Sequence, residues 1–283
     1  MAISLPPKFL EVRVHDVNRA PGISGLCVGY ERGTWRASQF AAHIMDWLPE
    51  FALKHSEIQN ISSGELMSLV RRAAKRVYES ATFENRGEFG ELFLHAAIRQ
   101  VFDSQPAVSK VVYKSARNET VKGFDAVHVV DGPNGPELWL GEAKFYEDVA
   151  AAIRTVVKEL DAHTQTDYLR DEFLLIRGKV DPAWPRAAEF EAMISENRSL
   201  DDVFKKACIA VLLTYDSDCL SRHTECSEEY RSEFIEEIMK HHANFAGRNL
   251  PPDLSIHLIL LPLFTKQILL AELDNKLRAL QTL

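Results

Sequence analysis

At 283 residues, with 46% hydrophobic and 26% charged, the chain is long and apolar enough for one large or two modest folded domains, which excludes a disordered or low-complexity protein. A formal net charge of −8 argues against a stand-alone nucleic-acid binder, so any such role would need a locally basic cleft or a partner that brings the chain to its target. The most apolar stretch, residues 256–264, is too short to span a bilayer and contains Pro262.

The first seventeen residues lack the charged start and apolar centre of a secretion signal, and a cytoplasmic protein is expected. Cys27, Cys208, Cys219 and Cys226 form no CxxC pair, as suits free thiols in a reducing compartment. Cys219, His223 and Cys226 could be part of a zinc set, but closing it would need His241 or His242, and free thiols are the simpler reading.

Strands are expected at 9–14 and 25–30, separated by Pro21 and Gly22, followed by a helix over 34–53. Ser62, Ser63, Gly64 and Glu65 form a capping signature ahead of a helix over 63–79. A third helix, 86–101, places Phe89, Leu92, Phe93, Ala96 and Ala97 on one apolar face. The period then changes to two: Val111 and Tyr113 suggest one strand, and 124–130 and 137–145 two more, joined by the turn signal of residues 131–136. Beyond these, helices are expected over 148–164, 228–245 and 267–280 and buried strands over 206–215 and 255–263, with 173–176 a short strand or a helix end. The alternation implies an α/β fold, a mixed sheet covered on both faces. Residues 1–60 read as a small N-terminal α+β region, a candidate for partner docking, and 61–283 as the main domain.

The segment 122–148 carries the chemistry. A turn symmetric about Pro133 and Asn134 sets Val127 opposite Leu140, Val129 opposite Leu138 and Asp125 opposite Glu142. Side chains two apart on a strand share a face, so Leu138, Leu140, Glu142 and Lys144 line one face, apolar near the turn and charged at the open end. Directly opposed carboxylates, with Cβ atoms about 4.5–5.5 Å apart, repel unless a cation lies between them. A hard divalent ion, Mg²⁺ where phosphate is the substrate, suits such a pair, and Lys144 adds a fixed positive charge. The bland alternative is a lysine paired with Asp125 or Glu147 at an exposed strand end.

An Asp on one strand followed by Glu-x-Lys on the next resembles the PD-(D/E)xK nuclease superfamily, although Phe124 stands where a proline often precedes the Asp. Three runs, NRGEFGELFLH from Asn85, KGFDAVH from Lys122 and GEAKFY from Gly141, are similar to the HamA family, nuclease subunits of the Hachiman antiphage system. That resemblance implies a restriction-endonuclease-like fold and Mg²⁺-dependent cleavage of DNA, with Mn²⁺ as a substitute. It also implies a HamB-type helicase partner, which would account for the acidic chain.

In the superfamily a further carboxylate often comes from a preceding helix. Glu84, Glu88 and Glu91 share one helical face, and Glu91, just before an apolar run, is the preferred third metal ligand, with Glu88 second. Lys122 and Arg86 beside the motif, and Arg71 and Lys75 in a basic helical stripe with Arg72 and Arg76, are the candidate DNA contacts. His95 could brace Glu91 or be a core histidine, and His128 falls on the strand face away from Asp125. Gln165 and Tyr168 match the superfamily's Gln and Tyr spacing poorly. No phosphate-binding GxxxxGK[ST] loop and no GxSxG elbow occur, so neither a nucleotide cofactor nor serine-hydrolase chemistry is expected. A restriction or repair nuclease with other partners is a second reading. A lapsed nuclease fold serving as a binding module is a third, disfavoured by the intact Asp125, Glu142 and Lys144.

Overall fold

The computed structural model describes residues 5–59, 61–77, 87–109, 123–252 and 254–283. A seven-stranded mixed sheet runs through it in the order β1-β2-β9-β8-β7-β6-β5, with helices on both faces. The strands are β1 (Glu11–Asp16), β2 (Gly22–Cys27), β5 (Gln105–Ser109), β6 (Ala126–Gly132), β7 (Gly135–Phe145), β8 (Ala207–Asp216) and β9 (Ser255–Leu263). β2, β9, β8 and β7 are mutually parallel, while β1 at one edge and β6 and β5 at the other are antiparallel to their neighbours. A parallel centre must be covered on both sides, and β8 is accordingly an unbroken apolar run whose residues are buried from Ala207 to Tyr215.

The helices are α1 (Ala37–Asp46), α2 (Leu48–Ala52), α3 (His55–Ile58), α4 (Leu66–Val77), α5 (Gly87–Phe102), α6 (Val149–His163), α7 (Thr166–Arg177), α8 (Ala187–Met193), α9 (Leu200–Phe204), α10 (Asp218–Arg222), α11 (Glu228–Ala246) and α12 (Lys266–Thr282). Side-chain caps set several of their starts: Asp148 accepts from the Ala151 N–H, Ser227 from Tyr230 at 3.1 Å and Thr265 from Ile268 at 3.3 Å.

Several sequence expectations shift. The helix expected over 34–53 is two helices, broken at Trp47 ahead of Pro49, and Thr34–Trp35 (β4) instead pairs with Tyr30–Glu31 (β3) in a small hairpin. The second strand ends at Cys27 rather than residue 30, because Gly29, at φ 78°, turns the chain. Residues 173–176 lie inside α7, a helix. β5 escapes notice because it contains Pro106, which an edge strand tolerates. The strand expected at Val111 and Tyr113 lies outside the described residues. The leading region is not set apart from the sheet: β1 and β2 form its edge, and β2 pairs with β9.

α5 packs tightly on β7. A Cβ at Gly141 would sit 2.6 Å from Leu94 Cδ2 and 3.1 Å from Ala126 Cβ, and one at Gly90 would sit 3.2 Å from Phe145 Cβ. Overpacking a close-fitted core costs typically about 1–3 kcal/mol, so Gly141→Ala is expected to lose that much stability in urea denaturation. An unchanged midpoint would show that Leu94 yields freely.

Candidate active site

The turn has the expected register. Val127 pairs with Leu140, Val129 with Leu138 and Gly132 with Gly135, leaving Pro133 and Asn134 as the loop. The alternating pleat then carries the pattern to the far end of the hairpin. There the Asp125 N–H donates to the Gly141 carbonyl at 2.7 Å, and the Ala143 N–H donates to Asp125 Oδ2 at 2.8 Å. Asp125 is therefore fastened to the strand that bears Glu142 and Lys144. Both carboxylates are buried, Asp125 at 5% exposure and Glu142 at 2%.

The even-numbered face of β7 meets α6. Glu142 Oε1 accepts from His163 Nδ1 at 2.6 Å, and Lys144 Nζ lies 3.6 Å from Glu142 Oε2. Lys144 also pairs with Glu159, one turn before His163. His163 is stacked on Tyr168 at 4.6 Å and meets the edge of Phe124 at 5.6 Å. The segment entering Asp125 is braced by buried Glu172, whose carboxylate accepts from the Phe124 N–H at 3.3 Å. Glu172 lies so close to Gly123 that a Cβ there would be 2.6 Å from its Oε1.

The electrostatics follow from burial. Glu142 is pushed up from the ordinary carboxylate value by burial and by the Asp125 charge, against the pull of His163 and Lys144. Burial works to lower Lys144, but Glu142, Asp125 and Glu159 outweigh it and raise its pKa. Burial likewise opposes the charged form of His163, and its bond to Glu142 and the charges of Glu142 and Glu159 carry it above the ordinary histidine value. The result is two adjacent buried carboxylates flanked by cationic groups at the end of a sheet, an arrangement that can hold a hard cation and polarise an anionic substrate.

The structure places the other candidates as follows. Glu91 is buried in α5, which packs against the opposite face of β7 through Gly90, Ala143 and Phe145. It does not close a tight trio with Asp125 and Glu142: among the described residues the one group of three metal-binding side chains with ligand atoms within 4.8 Å is Cys219, His223 and Glu233. In that group Glu233 is held by Arg222 at 2.7 Å, and burial pushes the Cys219 thiol up to about 12, so an ion pair beside a neutral thiol accounts for it. Glu88 is half-buried in the first turn of α5. On α4, Arg72 and Arg76 bond inward to Glu57, whereas Arg71 is half-buried and Lys75 is exposed. Glu84, Arg86 and Lys122 lie outside the described residues. His95 gives its Nε2 to Glu50 at 3.1 Å, and His128 is a core residue bonded to Ser104 at 2.8 Å. Gln165 donates to the Asp161 carbonyl at the end of α6, at 2.8 Å. A cavity of about 350 Å³, lined among others by Glu50, Lys54, Arg99 and Trp184, contains none of the motif residues.

Sequence reasoning missed His163, Glu159 and Glu172. The signal available was the helical spacing of Glu159 and His163, four apart on one face of α6.

A family model described as HamA matches residues 5–277. The chain is also 29% identical over 127 residues to Anti-bacteriophage protein A of Escherichia coli (strain K12). That alignment covers 44% of this chain and 23% of the relative, so the chain spans under a quarter of that protein's length. No described helix is long and apolar enough to cross a membrane.

Proposed function

The chain belongs to the HamA family, and on that premise we propose that it is a Mg²⁺-dependent DNA endonuclease of PD-(D/E)xK type, acting in antiphage defence under the control of a helicase partner. The observation that carries this reading is the buried pair Asp125 and Glu142, fastened side by side with Lys144 next to them. A buried Glu142 whose pKa is raised by burial and by the charge of Asp125 beside it suits a divalent cation, and Mg²⁺ characteristically takes one or two protein carboxylates plus substrate phosphate. Asp125 and Glu142 would hold the ion, and when bound it would supply Lewis-acid polarisation of the phosphate and an acidified water.

The chain's own residues do the rest. The Ala143 N–H fixes Asp125 Oδ2, and the bond from His163 fixes Glu142 Oε1. Lys144, kept protonated by its acidic neighbours, stabilises charge developing on the phosphate oxygens and orients the attacking water. Lys75 and Arg71 on α4, with Arg86 and Lys122, are the residues that would contact the DNA backbone. At a net charge of −8 such contacts are few, and the partner would supply much of the DNA affinity. The acceptance of one or two acids by Mg²⁺ makes Glu91 dispensable as a ligand.

The test is incubation of the chain with supercoiled plasmid, alone and with the helicase partner, in Mg²⁺. Nicked or linear product is expected, abolished by EDTA and restored by excess Mg²⁺ or Mn²⁺. Cleavage that survives EDTA, or no cleavage by the complex under either metal, would rule the reading out.

A further inference from the structure

α6 carries two groups, one turn apart, and each engages one charged member of the Glu142-x-Lys144 pair. Glu159 takes Lys144, and His163 takes Glu142 Oε1 at 2.6 Å. A carboxylate that holds a cation is ionised and only accepts hydrogen bonds, so in that state the donor of this bond is His163 Nδ1–H. The imidazole has little freedom to turn. One face stacks on Tyr168 with an interplanar angle of 10°, and it meets the edge of Phe124, the residue immediately before Asp125, at 73°. The ring thus touches both the strand that carries one carboxylate and the segment that carries the other.

We infer that His163 is a positioning residue for the metal centre, holding Glu142 in the orientation that lets it share a divalent cation with Asp125. The inference rests on the nuclease reading above. A carboxylate offers about four lone-pair sites, so the bond to His163 leaves Glu142 able to take a metal as well. Hydrogen-bond partners of this kind fix the ligand's rotamer before the ion arrives, and losing one typically weakens metal affinity about 10–100-fold. Lys144 serves the other oxygen less closely, at 3.6 Å, and is itself drawn toward Glu159, so it cannot replace the donor from α6.

The experiment is Mn²⁺ binding to the full chain without DNA, followed by the electron paramagnetic resonance of the free ion. Wild type, Glu142→Ala, His163→Ala and His163→Asn are compared, with thermal melts as a folding check. His163→Ala is expected to raise the Mn²⁺ Kd about 10–100-fold. His163→Asn should restore most of the affinity, because its amide N–H stands where Nδ1–H stood. If Glu142→Ala loses the ion while His163→Ala binds as wild type does, the centre exists and the role of His163 is refuted. Equal weakness in His163→Asn and His163→Ala would also refute it, since the donor would then not be what matters. If wild type binds no Mn²⁺, or Glu142→Ala binds it normally, the metal centre and this inference fall together.

Discussion

Lys144→Ala is expected to slow DNA cleavage by about two to four orders of magnitude, the range for losing a group that orients water or stabilises charge in the transition state. The side chain is only 12% exposed, so a thermal melt of the variant separates loss of catalysis from loss of fold. Its loss leaves Glu142, Glu159 and Asp125 with one cation fewer among them, which favours rather than hinders a divalent ion. The variant should therefore bind Mn²⁺ at least as well as wild type while failing to cut, whereas Glu142→Ala should fail at both. Lys144→Arg should not rescue, because a planar fork cannot replace a compact ammonium between two carboxylates. Single-turnover cleavage rates at saturating Mg²⁺ give the measurement. A Lys144→Ala protein that cuts at the wild-type rate would reduce Lys144 to an ion-pair residue.

Glu50→Ala is expected to cost about 3 kcal/mol of folding stability, the low end of the range for stripping one partner from a buried ion pair, because Glu50 itself is half-buried. Glu50 on α2 accepts from Arg99 at 2.9 and 3.1 Å and pairs with His95, joining α2 to the helix that packs on β7. Arg99 is 8% exposed, so without Glu50 its charge is stranded. The same pair sets an acid dependence. Burial alone would raise Glu50, but the His95 and Arg99 interactions outweigh it and hold the carboxyl below its ordinary value of 4.5. A depressed carboxylate contributes stability above its unfolded value that is lost as pH falls through its folded one. Wild type should therefore lose stability below about pH 4.5 more steeply than Glu50→Gln, which has nothing there to titrate. Parallel stability curves for the two proteins would contradict the assignment.

The hairpin was legible because a two-residue turn flanked by alternating apolar residues fixes register, and register fixes which side chains share a face. From Pro133 and Asn134 the pleat carries directly to Asp125, Glu142 and Lys144. β8 and β9 were legible as continuous apolar runs, the pattern of strands covered on both faces. The misses have a common cause in tertiary pairing. β1 and β2 looked like a separate leading region because nothing local announces that β2 will pair with β9, more than two hundred residues along the chain. Where Glu91 sits relative to the hairpin was likewise hidden, because which face of the sheet α5 covers is set by Gly90 and Gly141, whose missing side chains admit the helix. His163 was invisible because a histidine in the last turn of a helix is ordinary until Glu142 is found 2.6 Å away.

The most direct test is cleavage of plasmid DNA in Mg²⁺ by wild type and by Glu142→Ala, each assembled with the proposed helicase partner and matched for folding by thermal melt. Wild type is expected to cut and Glu142→Ala is not, because one of the two acids that would hold the metal is gone. Equal cleavage by the two proteins would remove the active site from this hairpin.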